Sequence, residues 1–286
     1  MITNYLLYNK ISKFYMTEGV NRMADDYISN EIYTPQIGGM QTKWAKKLLN
    51  IFFLVDVSGS MREEGRINAV NEAFTQMIPA LRQIQMDSMS ELELRIAIMT
   101  FSQAARWIVP PTSILEFKHK EITCDGGIAN YSAAFKALRE KLTRKEYMAH
   151  SGKIAAPNIF IVTDGDSDNN DNLQFEMKQV LSNGWVKVSE KFIVLSEIEN
   201  AGKLNRTILE FVGLNQNRII KTEDIKEVVL RVVLRLFFPP QYFKLRDDMI
   251  PKNNAIAEEY TDPFDDEHGW FGGFEGFGDF DDNGFI

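Results

Sequence analysis

Two unbroken apolar runs, each ended by an aspartate, constrain this chain more than any other feature. Ile51-Phe52-Phe53-Leu54-Val55 stops at Asp56, and Ile159-Phe160-Ile161-Val162 passes through Thr163 to Asp164. A strand with one wet face alternates apolar and polar residues, whereas an unbroken apolar run suits a strand covered on both faces. Around these runs the period changes to that of helices. Apolar residues at helical spacing predict helices over 66–86, 133–142, 173–181 and 204–212, and another from a Thr222 cap to about residue 237. Shorter strand patterns fall at 92–101, 104–109, 192–195 and 218–220, with Pro110-Pro111 expected to stop the second of these. Apolar strands alternating with amphipathic helices predict an α/β fold: a doubly wound, mostly parallel central sheet with helices on both faces. Ligands of such sheets bind at the carboxyl ends of the strands, where Asp56 and Asp164 stand.

The domain is expected over residues 50–238. Residues 1–49 read as an amino-terminal extension with turns at Thr34-Pro35 and Gly38-Gly39, and residues 239–286 as a flexible tail. Charge separates the parts. The last forty residues hold twelve acidic side chains against Lys252 alone, −11, whereas residues 1–246 hold 31 basic and 28 acidic ones, +3. That body lacks the concentrated basic face that nucleic-acid binding needs. Eight aromatics stand among glycines and acids from Tyr260 onward, a composition that resists forming a packed core. No apolar run approaches the ~20 residues of a membrane helix, and the amino end lacks the pattern of a secretory signal, so a cytoplasmic protein with no membrane partner is expected. The single cysteine, Cys124, excludes an internal disulfide framework and a cysteine-based zinc cage; with no histidine near it in sequence, it reads as a small hydrophobe.

Directly after the first apolar run comes Asp56-Val57-Ser58-Gly59-Ser60. The spacing D-x-S-x-S places one carboxylate and two hydroxyls on a tight loop, expected to be exposed, with Asp164 contributing a second carboxylate from another strand. Hard oxygen donors without His or Cys suit Mg²⁺, with Mn²⁺ or Ca²⁺ as alternatives, rather than zinc. His119, His150 and His268 have no spacing that would build a triad or a zinc site. Asp166, Asp168, Asn169 and Asn170 suggest a calcium loop, but Asn169 stands where its glycine belongs and Phe175 where its bidentate Glu belongs. They read as a solvated rim able to tune partner choice by charge.

IFFLVDVSGSM followed by a helix, and IFIVTDG on a later strand, resemble the von Willebrand factor A domain and its metal-ion-dependent adhesion site. The resemblance spans roughly residues 50–237. RINAVNEAFTQMIPALRQ, LRIAIMTFSQAARWIVP and CDGGIANYSAAFKAL are most similar to cytoplasmic bacterial proteins associated with tellurium resistance, the TerY-like group. The resemblance implies that Ser58 and Ser60 ligate a cation directly, while Asp56 and Asp164 act through waters or orient the serines. It departs at the glycine-glycine-threonine loop, which here reads Gly126-Gly127-Ile128-Ala129-Asn130-Tyr131-Ser132, one residue longer. Counting back from the helix puts Ala129 at the threonine position, with Asn130 and Ser132 as the possible substitutes.

The resemblance implies a non-enzymatic binding module that recruits an Asp or Glu of a partner protein. For TerY-like relatives it further implies a stress-response or signalling scaffold working with a kinase and a phosphatase. Two alternatives remain. One is a Mg²⁺-dependent phosphohydrolase resembling the haloacid-dehalogenase phosphatases, although Ser58 stands where their acid residue belongs and cannot serve as a general acid at neutral pH. The other is a degenerate site that binds partners without metal, chiefly through the aromatic, acidic tail.

Overall fold

The computed structural model describes residues 46–87, 92–165, 172–196 and 204–234. The tail, nearly all of the amino-terminal extension, His268 and the rim residues 166–170 lie outside the described residues. Six strands form one sheet in the order β3-β2-β1-β4-β5-β6. They are β1 (Lys47–Asp56), β2 (Leu92–Phe101), β3 (Ala105–Ser113), β4 (Asn158–Thr163), β5 (Glu190–Leu195) and β6 (Ile219–Lys221). All neighbours pair in parallel except β2 and β3. The expected doubly wound, mostly parallel sheet is the fold observed. Its first strand begins at Lys47, three residues before the start expected for the domain.

Among the described residues six helices accompany the sheet: α1 (Arg66–Asp87), α2 (Tyr131–Lys141), α3 (Leu173–Ser182), α4 (Gly184–Val188), α5 (Arg206–Leu209) and α6 (Ile225–Leu234). Alternation along β1 assigns them to faces. Leu49, Ile51, Phe53 and Val55 enter one apolar cluster with the inner faces of α1 and α6. Phe52 and Leu54 enter a second, with residues of α2, α3, α4 and α5. Both faces of β1 are therefore sealed, as its unbroken apolar run requires. In the first cluster Phe53 meets Phe74 edge-on at 4.8 Å and stacks on Phe160 at 5.1 Å, while Phe160 stacks on Phe192 at 5.0 Å. One aromatic row thus ties three adjacent strands to α1.

Three expectations need correction. The third strand does not stop at Pro110-Pro111 but runs to Ser113. β3 is an edge strand, its register against β2 shifts between Ile96 and Ile98, and an edge with a bulge tolerates residues that lack an N–H. Thr222 does not cap the last helix. Its hydroxyl donates to the Leu195 carbonyl, tying a short 3-10 turn (Thr222–Asp224) to the end of β5 before α6 begins. The helix expected at 204–212 is one α turn, Arg206–Leu209, continued as a 3-10 turn.

The sheet's winding reverses between β1 and β4, the position at which sheets of this class form a crevice beyond their strand ends. Among the described residues no helix is long and apolar enough to cross a membrane. Phe53→Ala should cost about 3–5 kcal/mol, because the ring is fully buried between partners on two sides. Urea denaturation of the variant against the parent checks this.

Candidate functional site

The carboxyl ends of β1 and β4 bring Asp56, Thr163 and Asp164 to the crevice. Asp56 has no solvent exposure. Its Oδ1 accepts the Ser58 backbone N–H at 2.8 Å and its Oδ2 accepts the Thr163 hydroxyl at 3.0 Å. Thr163 spends its only proton on Asp56, so its oxygen must accept from its other two neighbours. These are the Gly165 N–H at 3.1 Å and the Tyr131 hydroxyl at 2.6 Å. The result is a directed relay, Tyr131 to Thr163 to Asp56, joining α2, β4 and β1.

Burial pushes the Asp56 carboxyl up to about 6, and the nearby Asp164 charge adds to the rise; the hydrogen bonds from Ser58 and Thr163 pull the other way. Desolvation wins because the relay supplies dipoles and no full positive charge.

Beyond Asp56 the chain turns onto the crevice. The Val57 N–H donates to the Phe101 carbonyl, and the Val57 carbonyl accepts from the Asp125 and Gly126 N–H groups. The Gly59 N–H donates to the Gly127 carbonyl at 3.0 Å. The first loop is thereby fastened to the end of β2 and to the glycine loop. Gly127 holds φ at +81°, and a Cβ there would stand 2.8 Å from Gln103 Cγ, so the close approach needs glycine. Ser58 and Ser60 place their hydroxyl oxygens 3.2 Å apart. Contrary to the exposed loop expected, Ser58 is buried and only Ser60 is partly open.

Each remaining candidate has a definite place. Asp164 is buried, and its Oδ2 lies 3.3 Å from Nη1 of Arg66. Ala129 packs in the second apolar cluster and offers only a methyl group. The Asn130 side chain is committed as a cap, accepting the Ala133 N–H and donating to the Gln103 carbonyl. The Ser132 hydroxyl is buried without a hydrogen-bond partner among the described residues. Cys124 is half-buried against the first cluster, and burial raises its thiol, so it stays protonated at neutral pH.

Thr163, Tyr131 and Arg66 complete the arrangement and were absent from the sequence-based set. Thr163 had a signal, as the one hydroxyl in an otherwise apolar strand core. Arg66 had another, as a cation at the first position of a helix, where the macrodipole disfavours it. Tyr131 had none.

The Mg²⁺ implied by the resemblance can be tested against these donors. Among the described residues no group of three or more His, Cys, Asp and Glu converges, so a cation here would depend on hydroxyls backed by two carboxylates. Adjacent corners of an octahedron with ~2.1 Å bonds lie about 3 Å apart, close to the serine separation. Two buried carboxylates in the same crevice add an electrostatic demand for positive charge. The donors fit a hard divalent cation.

Residues 51–167 match the family model described as von Willebrand factor type A domain. The matched stretch runs from within β1 through β4 and includes every candidate residue above. No curated protein matches the chain. Among solved structures, proximal thread matrix protein 1 from the mussel byssus (crystal form 2) is 16% identical with a TM-score of 0.46, over 68% of this chain and 49% of that one. The ArnB paralog VWA2 from Sulfolobus acidocaldarius is 14% identical with a TM-score of 0.42, over 64% and 44%. The conserved hypothetical protein BatB from Bacteroides thetaiotaomicron is 13% identical with a TM-score of 0.42, over 65% and 98%. The chain spans about half the length of the first two.

The raised Asp56 carboxyl carries a stability consequence. In the folded chain the proton is held more tightly than in the unfolded one, so this group's contribution is fully present below about pH 4 and is lost as pH rises to about 6. In EDTA, Asp56→Asn should therefore gain on the parent by up to about 3 kcal/mol at pH 7.5, with the gain vanishing at pH 4. Denaturation at the two pH values checks it. Ser132→Ala should stabilise by about 1 kcal/mol by removing an unsatisfied buried hydroxyl, and thermal unfolding reads this directly.

Proposed function

We propose that the chain is a non-enzymatic, cation-dependent protein-binding module. Ser58 and Ser60 hold a divalent cation, Mg²⁺ or in its place Mn²⁺ or Ca²⁺, with Asp56 and Asp164 behind them. When bound, the cation would supply an electrophilic position for an Asp or Glu carboxylate of a partner protein. The observation that carries this reading is the pair of hydroxyls 3.2 Å apart at the rim of a crevice floored by two buried carboxylates. Asp56 orients the loop through the Ser58 amide, and the relay from Tyr131 and Thr163 holds Asp56 in turn. Ile128, 60% exposed on the glycine loop, adds an apolar contact that a partner could cover beside the charged one.

A phosphohydrolase is disfavoured on the same geometry. Its attacking carboxylate would have to be Asp56, yet both Asp56 oxygens already accept hydrogen bonds and neither reaches solvent. The TerY-like resemblance adds a context to the binding reading: a cytoplasmic stress-response scaffold whose partners include a kinase and a phosphatase.

Calorimetric titration with Mn²⁺ tests the reading. The parent should bind one ion, and the double variant Ser58→Ala, Ser60→Ala should bind none while keeping its circular dichroism spectrum. Retention of a protein partner from native lysate should fail both in EDTA and with the double variant. Equal Mn²⁺ binding by parent and double variant would remove the proposal.

A further inference from the structure

Arg66 opens α1, yet its guanidinium turns into the crevice. Nη1 lies 3.3 Å from Asp164 Oδ2 and donates to the Ser60 carbonyl at 3.2 Å, while Nη2 lies 3.2 Å from Glu64 Oε2. Glu63 is 4.0 Å from Nη1. The Arg66 side chain is only 13% exposed, whereas those of Glu63 and Glu64 are 74% and 68% exposed. The two glutamates therefore gain little from the contact in water, and Asp164, at 2%, gains most.

The backbone is bent to deliver this contact. Glu64 adopts φ +51° and Gly65 φ +71°, two successive left-handed residues immediately before the helix. A non-glycine residue held there stores backbone strain, and a cation at the first helical position works against the macrodipole. Both costs are offset at one place, the buried Asp164 carboxylate. The same guanidinium touches Ser60, one of the two hydroxyl residues proposed to hold the cation.

We propose that Arg66 is a built-in competitor for the cation: its guanidinium neutralises Asp164 in the metal-free chain, and a divalent ion must take over that role in order to bind. This rests on the cation-binding reading above and adds the residue that sets its affinity. A monovalent, fixed counter-charge keeps the buried Asp164 carboxylate compensated when no metal is present. It also weakens the site for any ion, so that binding waits for a high cation concentration or for a partner carboxylate that improves the complex. Arg66 is a positioning and affinity-setting residue, since it donates nothing to the ion itself.

The test is Mn²⁺ titration of the full chain, with thermal unfolding in EDTA and in Mg²⁺, for the parent, Arg66→Gln and Arg66→Lys. Arg66→Gln keeps a donor for the Ser60 carbonyl and removes the charge. It should bind Mn²⁺ at least tenfold more tightly than the parent, melt lower in EDTA, and show the larger rise in melting temperature on adding Mg²⁺. Arg66→Lys, which keeps the charge, should bind within threefold of the parent. Should Arg66→Gln be unfolded in EDTA, refolding on Mn²⁺ supports the proposal and failure to refold overturns it. Equal or weaker Mn²⁺ binding by Arg66→Gln overturns it while leaving the cation site itself intact. Absence of binding in all three chains overturns the cation-binding reading and this inference together.

Discussion

The structure around the crevice depends on one fully buried carboxylate. Asp56 ends a strand whose preceding five residues, Ile51 to Val55, are sealed in apolar clusters on both faces, and a charge at such a place is tolerated only with dedicated partners. Those partners include Ser58 on its own loop, through its amide and its side chain, and the Thr163 hydroxyl on the neighbouring strand. Those bonds do more than satisfy the carboxylate. They fix the direction in which the chain leaves β1, and with it the positions of both serine hydroxyls.

The charge is not fully balanced by this network. Hydroxyl and amide dipoles leave the Asp56 carboxyl raised, with a second buried carboxylate, Asp164, adding to the effect. Arg66 brings a guanidinium to 3.3 Å from the Asp164 carboxylate. The crevice thus combines two buried carboxylates with only dipolar compensation for Asp56, beside a strained residue, Glu64, and regions of this kind are where proteins place binding chemistry.

Much of this was legible in the sequence, and for a physical reason. Short unbroken apolar runs rich in β-branched and aromatic residues suit strands buried on both faces, so Ile51–Val55 and Ile159–Val162 pointed to the centre of the sheet, and their terminal aspartates marked the crevice. The helical period of α1 was equally plain, because one apolar stripe faces the sheet along its length. Long-range pairings were not legible. Thr163 meets Asp56 across 107 residues and Arg66 meets Asp164 across 98, separations over which local pattern carries no information. The passage of β3 through Pro110-Pro111 was hidden because local breaker chemistry is overridden on an edge strand. The glycine loop was half legible: Gly126-Gly127 announced a tight turn, but only the structure shows that Asn130 is consumed as a helix cap.

The central claim is that Ser58 and Ser60 are jointly aimed at one cation. Crystals of the full chain grown with Mn²⁺ and measured at the manganese absorption edge address it most directly. The account predicts a single strong anomalous peak within bonding distance of both serine hydroxyls. Well-ordered density for both side chains with no peak between them, or a peak held elsewhere on the chain, would contradict it.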